Sequence, residues 1–124
     1  MPRDELLDIQ TADDVFIVSF RTPSIGALSG VEEIAGRLRR FIGLRQPKKM
    51  IIDFHGVLFF SSKMLGLLVD VWKRLKDCGG ILVISGINPQ LTRVFRITNL
   101  DKIFDFYDDA EAALKALGAK KNEQ

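Results

Sequence analysis

Residues 50–77 read MIIDFHGVLFFSSKMLGLLVDVWKRLKD. Met50 to Phe54 is a short, nearly continuous apolar run of the kind a parallel strand buried on both faces shows. From Ser62 to Asp77 the period changes: Leu65, Leu68, Val71, Trp72 and Leu75, joined by Met64, fall on one stripe, while Lys63, Asp70, Lys73, Arg74, Lys76 and Asp77 fall off it. That spacing predicts an amphipathic helix. A buried strand that passes through a short turn into a strong helix is a unit of an α/β fold.

Downstream, Cys78-Gly79-Gly80 stops the helix and Ile81 to Ile84 is a second strand of the buried type. Asn88-Pro89 supplies an N-cap and a proline at the first helical position, which predicts a third helix to about Ile97. Phe104 to Tyr107 is a last short edge strand, and Asp108 caps an alanine- and leucine-rich helix to Leu117 before a Lys-rich tail. Upstream, Leu6 to Thr11 and Val15 to Phe20 flank the polar turn Ala12-Asp13-Asp14 and read as a β-hairpin. Arg21 to Gly30, with Pro23, Gly26 and Gly30, is a loop. Val31 to Phe41 is an amphipathic helix with Glu32 and Glu33 in its first turn and arginines in its last, as the helix dipole favours, and Gly43 and Pro47 end it. A helix between two strands implies a right-handed crossover. The expectation is one domain over residues 1–124, with its core at about 6–117 and a polar tail at 118–124: a small mixed β-sheet of four to five strands covered by about four α-helices.

The chain has 124 residues, 47% hydrophobic and 27% charged, the composition of a globular chain with a core. Its 18 basic and 16 acidic residues leave a net charge of +2, too balanced for a surface that neutralises phosphates, so nucleic acid is not an expected partner. Cys78 is the single cysteine, which excludes an internal disulfide and a multi-cysteine metal cluster and fits a reducing cytoplasm. The opening Met-Pro-Arg-Asp-Glu lacks the apolar run of a signal peptide, and no stretch reaches the ~18 apolar residues of a membrane span. A cytoplasmic protein without direct membrane insertion is expected.

The turn from Gly56 to Ser61, where strand becomes helix, is where open α/β sheets place ligand contacts. Ser61 or Ser62 can cap free amides there, and the same amides favour a phosphoryl group on the hydroxyl, with Lys63 as a nearby cation. Gly66 costs the helix about 1 kcal/mol relative to alanine, which points to close approach by a neighbouring backbone or a partner. Asp53 and His55 alternate along a strand and no G-x-S-x-G elbow is present, so a Ser-His-Asp triad is rejected and His55 is a surface or capping histidine. One histidine and one cysteine supply no metal set. The glycines at Gly79-Gly80 and Gly86 form no phosphate-binding motif, so neither metal nor cofactor is expected. The run from Arg37 to Lys49 holds Arg37, Arg39, Arg40, Arg45, Lys48 and Lys49 without an acid, and reads as a solvated helix end that could attract an acidic surface or anionic headgroups.

The ordered blocks Ile51-Ile52-Asp53-Phe54-x-Gly56-Val57, Ser61-Ser62-x-x-Leu65-Gly66-Leu67-Leu68, Lys73-Arg74-x-Lys76-x-x-Gly79-Gly80-x-Leu82, Asn88-Pro89-x-x-x-x-Val94-Phe95 and Leu100-Asp101-Lys102-Ile103-Phe104 resemble the STAS domain of anti-sigma factor antagonists, over about Leu6 to Leu117. The resemblance implies a non-enzymatic regulator of sigma-factor-dependent transcription. Such a protein binds an anti-sigma factor that is also a serine kinase, is phosphorylated on the serine of an Asp-Ser-Ser-Gly-Leu-Gly motif, and is restored by a phosphatase. Aligning Leu65-Gly66 with the motif's Leu-Gly puts the phosphoacceptor on Ser62, with Ser61 as the alternative. Lys63, Leu65, Gly66, Val69 and Lys73 are the expected partner contacts.

Here Ser61 stands in place of the motif aspartate, Lys63 in place of its second serine and Met64 in place of its glycine, and Thr22-Pro23-Ser24 occupies a loop that often carries an acid. The same resemblance implies a second role, the STAS accessory subunit that docks on the ATPase of a lipid transporter. A small hydrolase or nucleotide-binding enzyme using Ser61 or Ser62 with His55 is the reading from another class, which turnover of generic ester or nucleotide substrates lost on serine substitution would reveal; none is expected.

Overall fold

The computed structural model describes residues 6–26 and 30–118. The expected hairpin is present as β1 (Leu7–Ala12) and β2 (Val15–Phe20), with Asp13 at φ 61° in its turn. There follow β3 (Ser24–Ile25), α1 (Val31–Arg45), β4 (Lys49–Asp53), β5 (Phe59–Phe60), α2 (Ser62–Asp77), β6 (Ile81–Ser85), α3 (Pro89–Ile97), β7 (Asp105–Tyr107) and α4 (Ala110–Ala116). The main sheet has the order β1-β2-β4-β6-β7, antiparallel at β1 and parallel elsewhere, so it is the small mixed sheet the sequence implies. The expected N-terminal sequence before Leu6, residues 27–29 of the first loop and the tail from residue 119 lie outside the described residues.

Alternation along the strands builds two layers. Val18, Met50, Ile52, Phe54, Leu82 and Ile84 face α1, α2 and α3, whose buried stripes supply Ile34, Leu38, Leu68, Val71, Leu75 and Phe95. Val15, Ile51 and Val83 face the other way, onto Ala113 of α4. The helix that connects each pair of neighbouring parallel strands packs on one face, and the opposite face receives only the short α4.

Three local readings change. Gly43 does not end the first helix, which runs on to Arg45 and closes on Gln46 in the left-handed conformation (φ 45°), whose amide donates to Ile42 O. Burial of Ile42 in the core holds that last turn, so packing outweighs the cost of one exposed glycine. The cap of α4 is Asp109, whose Oδ1 accepts from the Ala112 amide at 2.8 Å, and not Asp108. A second sheet of two short parallel strands, β3 with β5, crosses segments read as a loop and a turn. Two-residue strands carry no periodicity, and their pairing is decided by where the chain is already anchored.

That anchor is aromatic. Phe54 stacks on Phe20 (centroids 5.3 Å apart) and meets Phe60 at 5.4 Å; Phe60 meets Phe95 edge-on at 5.8 Å, and Phe95 meets Phe106 at 5.1 Å. Phe60 is thereby fixed in the core immediately before the two serines, and the direction in which α2 departs is set by the packing of one ring.

Candidate functional site: the turn into the second helix

The segment between β4 and α2 is held by backbone bonds from three sides. The Phe54 amide donates to Ser85 O (2.8 Å) and the Val57 amide to Phe54 O (2.9 Å). Pro23 O accepts from both Leu58 and Phe59 (2.8 and 3.1 Å), and Ile25 O accepts from Ser61 (3.0 Å). With Val57 and Phe60 turned into the core, Leu58 and Phe59 point outward, 68% and 47% exposed. A well-bonded turn thus holds two large apolar side chains in solvent.

The two serines are placed differently. Ser61 occupies the N-cap position of α2, but its hydroxyl makes no capping bond, and its Oγ is buried without a hydrogen-bond partner among the described residues. Gly26 covers it: a Cβ at Gly26, where φ is +81°, would lie 2.5 Å from Ser61 Oγ and 2.5 Å from Val31 Cγ2. Ser62 is the first residue of α2 and is exposed. The first turn of α2 contains no acidic residue of its own, and the carboxylates facing that end come from Glu32 and Glu33 of α1. A cleft of about 540 Å³ runs between the starts of α1 and α2, lined by Gly26, Val31, Glu32, Glu33 and both serines, and Lys63 spans it to reach Glu32 (Nζ to Oε2 3.7 Å).

Of the expected contact residues, Ser62, Gly66 and Lys73 are exposed and Val69 is half-buried, and their spacing of four, three and four places them along one side of α2. Leu65 is separated from this stripe, because its side chain is buried in the core. Gly66 has nothing within 4 Å of where its Cβ would lie, so no backbone among the described residues requires a glycine there. Beside the stripe, Asp70 Oδ2 accepts from Arg39 and Arg74, both at 3.0 Å, tying α1 to α2. Partial burial works to raise the Asp70 carboxyl, but the hydrogen bonds and charges of Arg74 and Arg39 outweigh it and hold the group below its ordinary value.

Asp53 Oδ1 accepts from the fully buried Ser85 hydroxyl at 2.8 Å, and His55 is exposed without a hydrogen bond among the described residues. Asp53 therefore serves the sheet and is not arranged to orient His55. The basic run of residues 37–49 is not left as a block of free charge. Arg39 pairs with Asp70, Lys49 with Asp14 (3.3 Å), Lys48 donates to Cys78 O, and Arg45 lies over the Phe16 and Phe41 rings (5.5 and 5.8 Å). No group of three or more His, Cys, Asp or Glu able to hold a metal occurs among the described residues. No helix among them is long and apolar enough to cross a membrane. The sequence reading missed Pro23, Gly26, Leu58 and Phe59; the one available signal was an apolar run, Leu58-Phe59-Phe60, at a turn that should be polar.

The fold is shared with known proteins. The family model described as the STAS domain matches residues 7–113. A Thermotoga neapolitana protein named as a candidate anti-sigma factor antagonist is 33% identical over 67 residues, 54% of this chain and 59% of that protein's own length. The solved structure of an anti-sigma-factor antagonist (STAS) domain protein from Planctomyces limnophilus superposes with a TM-score of 0.81 at 29% identity, covering 90% of this chain and 97% of that one. The Bacillus cell fate determinant SpoIIAA in its phosphorylated form shares the fold, with a TM-score of 0.70 at 17% identity over 90% of this chain and 98% of its own.

Proposed function

The chain belongs to the STAS domain family, and from that premise we propose that it is an anti-sigma factor antagonist: a binding protein that captures an anti-sigma factor and so frees a sigma factor. Its docking face is the Leu58-Phe59 ridge together with Ser62, Lys63, Gly66, Val69 and Lys73 of α2. The partner is a serine kinase, and Ser62 is its phosphoacceptor. The observation that carries this reading is the contrast between the serines, since Ser62 presents its hydroxyl at the exposed start of α2 while Ser61 Oγ lies buried beneath Gly26.

A phosphoryl group adds a charge of about −1.5 to −2 at pH 7. On Ser62 it would lie at the positive end of α2 beside Lys63, with Glu32 and Glu33 of the same cleft opposing it and Lys63 free to exchange Glu32 for the phosphoryl group. In a complex the same charge would have to be desolvated next to Leu58 and Phe59, and the complex weakens. The chemistry of transfer and its ATP belong to the partner, and a phosphatase restores the binding form. This chain needs no cofactor.

The reading is tested with the protein from its own cells, growing and stressed, by intact mass and phosphopeptide mapping, followed by capture of the partner so identified. A phosphoryl group on Ser62 that changes with conditions is expected. Ser62→Ala should keep capture, and Ser62→Asp should weaken it by about tenfold, or about 1.4 kcal/mol. Equal capture by the two variants refutes the switch.

A further inference from the structure

Asn88 serves two elements with one amide. Its Oδ1 accepts from the Leu91 amide at 2.9 Å, the ordinary N-cap bond of α3. Its Nδ2 donates to the carbonyl of Val57 at 3.1 Å, 31 residues away and on the turn that carries Leu58 and Phe59. Val57 is buried, so its carbonyl has limited access to water and depends on a protein donor. Serine, threonine and aspartate cap helices about as well as asparagine. Among these caps only asparagine carries an acceptor and an N–H donor at the same tip, so that one can serve the helix while the other reaches a second chain segment. Two further bonds hold the backbone of Asn88, whose carbonyl O accepts from both the amide and the hydroxyl of Thr92 (2.9 and 3.0 Å).

The Asn88 side chain is therefore a further support of the turn, added to the backbone acceptors Pro23 O, Ile25 O and Ser85 O. We infer that Asn88 is a positioning residue for the docking turn, holding Leu58, Phe59 and the start of α2 in the orientation the partner recognises, separately from its capping of α3. The inference rests on the proposed role of that turn as the kinase-docking surface. It makes the β6–α3 loop, which lies outside the proposed docking face, a determinant of recognition.

Two variants separate the roles of Asn88. Asn88→Asp keeps the cap but places a carboxylate oxygen against Val57 O, and Asn88→Ser keeps the cap with a side chain too short to reach it. Both should unfold in urea at a midpoint lowered by the loss of that one hydrogen bond, and Asn88→Ala, which loses cap and tether, at a midpoint lower still. In both capped variants, hydrogen exchange of the Leu58, Phe59 and Ser61 amides should quicken by about fivefold or more, as expected when one supporting hydrogen bond is lost. Expressed in the protein's own cells, they should carry less phosphate on Ser62 than the parent. Unchanged exchange at these amides, or parental phosphate occupancy in a variant with faster exchange, overturns the inference. If the parent itself carries no phosphate on Ser62, the phosphoswitch fails, and the exchange rates alone decide whether Asn88 positions the turn.

Discussion

Replacing Ser61 by alanine should stabilise the protein, a result opposite in sign to that expected of a helix-capping serine. An N-cap hydroxyl that bonds a first-turn amide is worth about 1 kcal/mol, and alanine forfeits it. Ser61 makes no such bond. Its Oγ is instead buried without a partner among the described residues, beneath a glycine whose missing side chain leaves just enough room for it. An unsatisfied buried hydroxyl costs about 1 to 3 kcal/mol of desolvation. Alanine retains Cβ and removes only the oxygen, leaving a gap of one small atom whose lost contacts offset part of that relief. The net expectation for Ser61→Ala is a gain of about 1 kcal/mol, or roughly 4 °C in Tm for a chain of this size. Urea unfolding followed by Trp72 fluorescence and far-UV circular dichroism measures it, with an unchanged m-value as the sign that both end states are preserved. Ser62→Ala is the companion control, expected within about 0.5 kcal/mol of the parent because that side chain is exposed. A loss of about 0.5 kcal/mol or more for Ser61→Ala would refute the reasoning, since it would mean that the hydroxyl is bonded in solution and that the burial separating the two serines does not hold.

Gly66→Ala should raise stability by about 1 kcal/mol, because the position is helical and open, and should at the same time lower capture of the anti-sigma factor; capture equal to the parent's would remove Gly66 from the docking face. The Asp70 carboxyl is held below its unfolded value of 3.8 by Arg74 and Arg39 against partial burial. Its contribution is therefore fully present above that value and is lost as the pH falls through the lower folded value. The stability difference between the parent and Asp70→Asn should accordingly be constant near neutrality, close in strong acid and shrink in high salt; a difference that persists unchanged in strong acid would sink this account.

What the sequence determined by itself are the features that depend on local pattern. The Ser62 to Asp77 helix, the apolar runs of β4 and β6 and the Asn88-Pro89 start of α3 were legible, because a 3.6-residue period, an unbroken apolar run and a cap followed by proline each leave a signature within a few residues. The order of those elements and the Ser61-Ser62-x-x-Leu65-Gly66 block were enough to indicate the family and to bring attention to two adjacent serines. The alignment of Leu65-Gly66 already favoured Ser62 over Ser61; what tertiary structure added is the physical contrast between the two side chains, one exposed and one with its Oγ buried. They are neighbours in an identical local context, and what separates them is that Phe60 is pulled into an aromatic cluster assembled from β2, β4 and α3 while Gly26 arrives from another loop to close over Ser61. Long-range contact likewise decided that Gly66 stays open, that Asp53 accepts from Ser85 and that the basic run is distributed among separate partners, whereas the inward packing of Leu65 was already written in its place on the apolar stripe. It also gave the Asn88 amide a second use. A donor's partner 31 residues away has no expression in the spacing of its neighbours, and only the folded chain brings the two together.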